Sequence, residues 1–218
     1  MKPVTMSWRQ IGKSQGKGIF LFQKLAQIAN WADMSIQSEP YIVQKYIHNP
    51  LLIGNKKFDL RIYVLVVSHN PLTIYLYRSG FGRFTHYRYE ENEIDNLESH
   101  LTNVAIQKVS EHYDEEKGGK YQIDKLRLYL VSQYGREPIE ECFHKIQELI
   151  IHTLMATSKV MVTDKRSFEL YGFDVMIDQN LKPWLLEING SPSYTATTFV
   201  DKSLKRGLLD DALTIVNL

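Results

Sequence analysis

The residues best placed to do chemistry lie in one stretch, residues 167–193, which reads SFELYGFDVMIDQNLKPWLLEINGSPS. Two runs rich in aromatic and aliphatic residues, 168–177 and 181–188, flank Asp178, Gln179 and Asn180. Turn formers between two such runs predict a β-hairpin. If the connection holds two or four residues, facing positions have numbers summing to an odd total, and side chains alternate between faces. Phe173, Val175 and Ile177 then share a core face with Trp184, Leu186 and Ile188. The other face carries Asp174 on the first strand and Glu187 and Asn189 on the second. Two carboxylates held side by side repel each other and resist desolvation, so a cation between them accounts for their presence. Oxygen ligands with no nearby Cys or His favour Mg²⁺ over zinc or copper, and Mg²⁺ usually arrives with a nucleotide phosphate. The competing reading is a half-exposed antiparallel sheet whose wet face carries ordinary solvated carboxylates.

A second candidate is the basic, glycine-rich run Gly12-Lys13-Ser14-Gln15-Gly16-Lys17-Gly18. Glycines let the backbone approach a ligand and present N–H groups, while Lys13 and Lys17 supply charge, so an anion such as phosphate suits the loop. It is not a Walker motif, because Gly18 follows Lys17 and residues 19–22 read as a strand where a helix belongs. A flexible hairpin connection is the plain alternative. The third candidate is the long strand predicted over 56–67, KKFDLRIYVLVV, in which Lys57, Asp59 and Arg61 share one face and Phe58, Leu60, Ile62 and Val64 the reverse. Strands over 72–78 and 81–89 follow, the latter carrying Arg83 after a Gly-x-Gly step. Such a sheet could present a wall to a polyanion. Alternatively, its charges are surface ion pairs worth under about 1 kcal/mol each.

The elements around these residues are legible from periodicity and stop signals. Lys2-Pro3-Val4 begins a strand, a helix follows over 24–32 with Leu25, Ile28 and Ala29 on one side, and 41–47 is a strand with Gln44 and Lys45 among apolar neighbours. Residues 90–99 are acidic and polar, an expected irregular surface segment, and 111–120 is charged and ends Gly118-Gly119-Lys120, an expected mobile loop. Asp124 is expected to cap a helix that stops at Gly135. Another is expected from about Pro138, with Ile139, Phe143, Ile146, Ile150 and Leu154 as its core stripe. After a small-residue loop over 191–198, residues 199–213 read as helical.

Composition narrows the class. With 44% hydrophobic residues in 218, the chain can bury a sizeable core as one large domain or two small ones. Lys and Arg total 26 against 25 Asp and Glu, so charge gives no general case for nucleic acid or membrane partners, leaving room only for a local basic patch. No apolar run is long enough to span a bilayer, and no signal peptide is expected from the opening Met-Lys-Pro-Val. The single cysteine, Cys142, fits a reducing compartment and a packing role.

The ordered series KPV, SQGKGIFLF, VQKYI, KKFDLRIYVLV, GFGRF, HLTNVAIQK, GGK, FELYGFDVMID and LKPWLLEINGSPS resembles the tubulin tyrosine ligase-like family, in its polyglutamylase branch, across nearly the whole chain. The resemblance implies an α+β, ATP-grasp fold with antiparallel sheets and flanking helices. It implies a partial central subdomain over about 1–48 and a C-terminal subdomain over about 49–218. The activity implied is ATP-dependent ligation of free L-glutamate to glutamate side chains of tubulin C-terminal tails. By position, Lys2, Gln15, Gly16, Lys57, Asp59, Thr102 and Asn103 match family contacts to ATP, and Gln44, Lys45, Tyr46 and Ile47 the segment along the adenine. Asp174, Glu187 and Asn189 match the Mg²⁺ ligands, while Arg61, Arg83 and Lys120 match contacts to acceptor or amino-acid carboxylates. No protein nucleophile is implied; Lys57, Arg61 and Glu187 form the catalytic group. Cytoplasm, cytoskeleton and cilium or basal body are the expected locations.

Two departures stand out against that family. The chain starts at the family's first nucleotide-contacting strand, so an N-terminal domain is expected to be missing, and Thr5 to Ile11 separates KPV from the glycine-rich loop. Both are expected of an incomplete gene product, of low or no activity, and sequencing the transcript would decide it. A non-catalytic tubulin-binding remnant and a ligase for a small-molecule carboxylate are the alternatives to the ligase reading.

Overall fold

The computed structural model describes residues 5–10, 18–27, 40–108, 119–161, 167–196 and 198–217. Lys2, Gln15 and Gly16, and most of the loop expected over 111–120, lie outside them. The chain divides into two units, one of residues 1–58 and 84–113, the other of 59–83 and 114–218.

In the first unit, β1 (Met6–Gln10), β2 (Ile19–Phe22) and β3 (Tyr41–Lys45) form an antiparallel sheet in the order β2-β1-β3. Met6 faces Phe22 on one side and Lys45 on the other, and Arg9 faces Ile19 and Ile42. Residues 6–10, within the segment that interrupts the sequence pattern, therefore supply the central strand, with backbone pairing on both edges. Of the helix expected over 24–32, only 25–27 are described as helical, and Leu25 is exposed. Gln44 and Lys45 are exposed rather than packed among apolar neighbours. β4 (Leu52–Ile53) pairs with the start of β5 (Lys56–His69) across Gly54 and Asn55, both at positive φ, the backbone that a two-residue hairpin turn requires. Two single-turn helices follow within 90–108, α1 (Leu97–His100) and α2 (Val104–Gln107), and the first buries Ser99 and His100. Residues 90–96 are irregular and not buried, as expected, and only 97–99 of that segment enter a helix.

The second unit is built on a sheet in the order β7-β6-β5-β8-β9, in which β6 (Leu72–Phe84), β7 (Lys120–Gln122), β8 (Glu169–Ile177) and β9 (Pro183–Asn189) join β5 and the β6–β7, β5–β8 and β8–β9 pairs are antiparallel. β6 runs unbroken where the sequence suggests two strands, because Gly80 is not a turn residue. A Cβ built there would lie 2.3 Å from the Arg61 carbonyl oxygen, so the glycine allows close approach to β5. Gly80→Ala is expected to lower stability by about 1–3 kcal/mol, as overpacking does, measured by urea unfolding. A change below about 0.3 kcal/mol would contradict the contact.

Helices complete this unit. α3 (Ile123–Tyr134) and α4 (Arg136–Ser158) pack together. Gln122, not Asp124, is the N-cap of α3; Asp124 sits in its first turn, where a negative charge still suits the helix dipole. α4 begins two residues before Pro138, which is accommodated because first-turn N–H groups have no intrahelical partner. Its buried stripe is Ile139, Cys142, Ile146, Ile150 and Leu154. Cys142 takes the place expected for Phe143, which is half-buried with the Arg127 guanidinium 4.7 Å from its ring. α5 (Phe199–Val216) starts at Thr198, whose hydroxyl accepts from the Asp201 N–H at 3.1 Å. Leu204, Leu208 and Ala212 of α5 join Tyr63, Leu65, Phe81 and Leu170 in one core cluster. Among the described residues, no helix is long and apolar enough to cross a membrane.

Candidate active site

The register of the second unit draws one row across three strands: Arg61 on β5 faces Asp174 on β8, which faces Glu187 on β9. In the next row Gly172 faces Asn189. The odd-sum rule holds through this part of the hairpin. A bulge between Asp174 and Val175 then shifts the pairing by one, so that Met176 faces Trp184. Phe173, Val175 and Ile177 are fully buried as expected, but Leu186 and Ile188 are 39% and 37% exposed and do not belong to the core. β9 ends the described sheet, so its apolar face lacks a strand to cover it on one side. The turn is stabilised by Asp178, whose carboxylate accepts from the Asn180 and Lys182 N–H groups and from Trp184 Nε1.

Asp174 is 2% exposed and is the most heavily contacted of the set. Arg61 donates to it through Nε at 2.5 Å and through Nη2 at 3.0 Å, and Arg83 Nη2 lies 2.8 Å from Oδ2. Arg83 also grips Asp59, with Nε at 2.8 Å from Oδ1 and Nη2 at 2.5 Å from Oδ2. These four side chains make a nearly buried, charge-balanced quartet of bidentate pairs, the geometry for which guanidinium is suited. Burial alone would raise the pKa of Asp174, but the Arg83 charge and the Arg61 hydrogen bonds together outweigh it and hold the carboxyl below its usual range. Gly172 helps to create the row: a Cβ there would meet Arg61 Cδ at 3.1 Å and Pro192 Cβ at 3.0 Å.

Asn189 closes the group. Its Nδ2 lies 3.4 Å from Asp174 Oδ2 and 3.5 Å from Glu187 Oε1, so all three side chains reach one point. Nδ2 also donates to the Gly172 carbonyl at 3.2 Å, and turning the amide over would present Oδ1 to a cation in place of the donor. Two carboxylates and one amide oxygen are a hard, incomplete ligand set, which fits Mg²⁺ because that ion keeps several waters. Among the described residues no cluster of three or more His, Cys, Asp or Glu could hold a metal.

Lys120 sits on β7 facing Arg83, not in a mobile loop. Its Nζ is 2.7 Å from Asp201 Oδ2, and Lys205 Nζ is 3.0 Å from Asp201 Oδ1 and donates to the Thr195 carbonyl. Asp201 and Lys205, one turn apart on α5, were not singled out by motif; their i, i+4 spacing was the available signal.

In the first unit, Lys57 is 7% exposed, and its Nζ donates to the Tyr46 hydroxyl at 3.0 Å and to the His100 carbonyl at 2.8 Å. The Tyr46 hydroxyl is 2.8 Å from His100 Nδ1, and His100 Nε2 is 3.1 Å from the Glu93 carbonyl. Burial, and then the Lys57 charge, push the His100 pKa down. Thr102 is buried, and Asn103 leads into α2 without capping it through its side chain. Gln107 holds this segment: its Nε2 donates to the Glu98 and Leu101 carbonyls at 2.8 and 2.6 Å, and its Oε1 accepts from the His86 N–H at 2.7 Å. Gln44 and Lys45 face Ser7 and Met6 across β3 and β1, and Ile47 is half-buried.

An α+β fold of antiparallel sheets with several helices is consistent with an ATP-grasp-like domain. The chain belongs to the tubulin-tyrosine ligase family, whose profile matches residues 5–218. It is 47% identical over 214 residues to the "Probable alpha-tubulin polyglutamylase Ttll1" of Tetrahymena thermophila, a match that covers 94% of this chain and 52% of that protein. It is 42% identical over 249 residues to the "Probable tubulin polyglutamylase TTLL9" of Bos taurus, covering 99% of this chain and 54% of the relative. To the human "Tubulin polyglutamylase TTLL5" it is 37% identical over 225 residues, 95% of this chain and 17% of the relative. The chain spans about half the length of the first two relatives.

Proposed function

We propose that this chain carries the catalytic residues of an ATP-dependent ligase that joins free L-glutamate to glutamate side chains of tubulin C-terminal tails. The observation that carries the reading is the row Arg61, Asp174, Glu187 with Asn189 beside it: a cation site and a carboxylate receptor sharing one aspartate. The names of the relatives support tubulin as the acceptor and glutamate as the donor.

Asp174, Glu187 and Asn189 would hold Mg²⁺, which neutralises phosphate charge when bound. Lys57, Asp59, Thr102 and Asn103, with Lys2, Gln15 and Gly16, would contact ATP, and the backbone of Gln44, Lys45, Tyr46 and Ile47 would read the adenine edge. An oxygen of the acceptor side-chain carboxylate attacks the γ-phosphorus, ADP leaves, and an acyl phosphate forms. The amino nitrogen of free glutamate then attacks the acyl carbon, loses a proton, and expels phosphate, leaving an isopeptide bond. Arg61, Arg83 and Lys120 would fix the carboxylates; Arg61 is free to do so once Asp174 turns from its guanidinium to the cation. No side chain forms a covalent bond in this sequence, so rate comes from positioning and charge neutralisation. The reading places the protein on the cytoskeleton, with cilia and basal bodies as the sites to examine.

The test is incubation of the full chain with ATP, Mg²⁺ and microtubules and each labelled amino acid in turn. Incorporation of glutamate alone, lost on omitting ATP, Mg²⁺ or tubulin, is the expected result. Sedimentation with microtubules without incorporation would replace the ligase by a binding protein, and ligation without tubulin would make the acceptor a small molecule.

A further inference from the structure

Lys57 is a cation held almost out of water, and the direction in which it can present its charge depends on what holds it. An ammonium has three N–H groups and accepts nothing. One N–H goes to the Tyr46 hydroxyl and one to the His100 carbonyl. Because Lys57 can only donate, the Tyr46 oxygen is the acceptor of that bond, and its own proton is free to point at His100 Nδ1, 2.8 Å away. Nδ1 is then bare, the ring proton is on Nε2, and Nε2 donates to the Glu93 carbonyl at 3.1 Å. The direction is set from the far end: the Glu93 carbonyl can only accept, which places the proton of a neutral ring on Nε2 and leaves Nδ1 to accept from the Tyr46 hydroxyl. The neutral ring this pattern needs agrees with a His100 pKa pushed down by burial and by Lys57. The Tyr46 and Tyr89 rings meet the imidazole edge to face at 5.5 and 5.2 Å, which prevents it from tilting.

We propose that Tyr46 and His100 are positioning residues for Lys57, acting as a directional hydrogen-bond chain that aims the ammonium at the phosphates of the nucleotide. The proposal rests on the reading of Lys57 as a phosphate contact. It assigns Tyr46 a side-chain role beyond its backbone place along the adenine, and gives His100 a role that its motif alone does not.

The test measures affinity of the full chain for a fluorescent ATP analogue. Lys57→Ala is the control, and a loss of about thirtyfold or more is expected for a charged contact to phosphate. Tyr46→Phe and His100→Leu should each weaken binding by about fivefold to tenfold, as loss of one typical hydrogen bond does, because the charge of Lys57 remains. The double variant should bind no worse than the weaker single variant, since both break the same chain. His100→Asn, whose Oδ1 can accept from Tyr46 in place of Nδ1, should stay within about twofold of the unaltered protein. A purely structural histidine would not be rescued in this way. If Lys57→Ala weakens binding while Tyr46→Phe does not, or if the two single losses multiply, the positioning role is overturned and the phosphate contact stands. If Lys57→Ala leaves affinity unchanged, the phosphate contact itself is overturned. Tyr46→Phe removes a single oxygen, so it carries the test should His100→Leu fail to fold.

Discussion

Glu187→Gln is expected to end ligation while leaving the protein folded. Outer partners of a bound metal typically cost about 10- to 100-fold in affinity or activity when removed, so a direct ligand should cost more than about a hundredfold. Gln keeps the length and one oxygen of Glu187, and the 3.5 Å contact with Asn189 Nδ2 can still be made. What disappears is one of the two negative charges beside the cation. Glu187 is half-buried on the outermost described strand, and the quartet of Arg61, Arg83, Asp59 and Asp174 does not depend on it. The change in unfolding free energy should therefore stay within about 0.5 kcal/mol. Two measurements decide the matter: incorporation of labelled glutamate, and titration with Mn²⁺ followed by its magnetic resonance signal. Undiminished turnover, or unchanged Mn²⁺ affinity, would remove Glu187 from the cation site.

The row that carries the site was readable because a strand has a period of two. Once the turn was placed at Asp178 to Asn180, alternation put Asp174, Glu187 and Asn189 on one face, and the structure pairs the first two directly. Alternation cannot announce an extra residue, so the bulge after Asp174 was beyond the pattern. Nor does it say which strand ends a sheet. The same limit applies to Lys57, Tyr46 and His100, which meet across 11 and 54 positions of sequence. Their contacts come from tertiary placement, and no local period encodes them. Thr5 to Ile11 departs from the family's spacing, yet its residues 6–10 pair as the central strand, because a sheet needs a backbone and not a motif. The resemblance assigns Arg61 and Arg83 to carboxylates of the acceptor or the incoming amino acid. In this structure the carboxylates they bind are the protein's own.

That last point makes Asp174 different from Glu187 in what its loss does. Asp174 is 2% exposed, and two guanidinium groups converge on it. Asp174→Asn removes one negative charge from a quartet that is neutral as built and leaves two cations facing Asp59 alone. Breaking a buried pair by removing one partner typically costs about 3–5 kcal/mol. For a chain of this size, that corresponds to a fall in unfolding midpoint on the order of 10 °C, accompanied by loss of ligation. The charge argument is separable from a general loss of packing by a second substitution. Arg61→Gln placed on Asp174→Asn leaves Arg83 with Asp59, a balanced pair held by the two bonds it already makes. The double variant should therefore regain at least about half of the lost stability while remaining inactive, because the cation still lacks a ligand. Full recovery of ligation would mean that Asp174 serves the fold alone. A double variant less stable than Asp174→Asn would mean that Arg61 is held by contacts other than this carboxylate. Stability and activity thus fall together in Asp174→Asn and separate in Glu187→Gln, since two guanidinium groups converge on the Asp174 carboxylate.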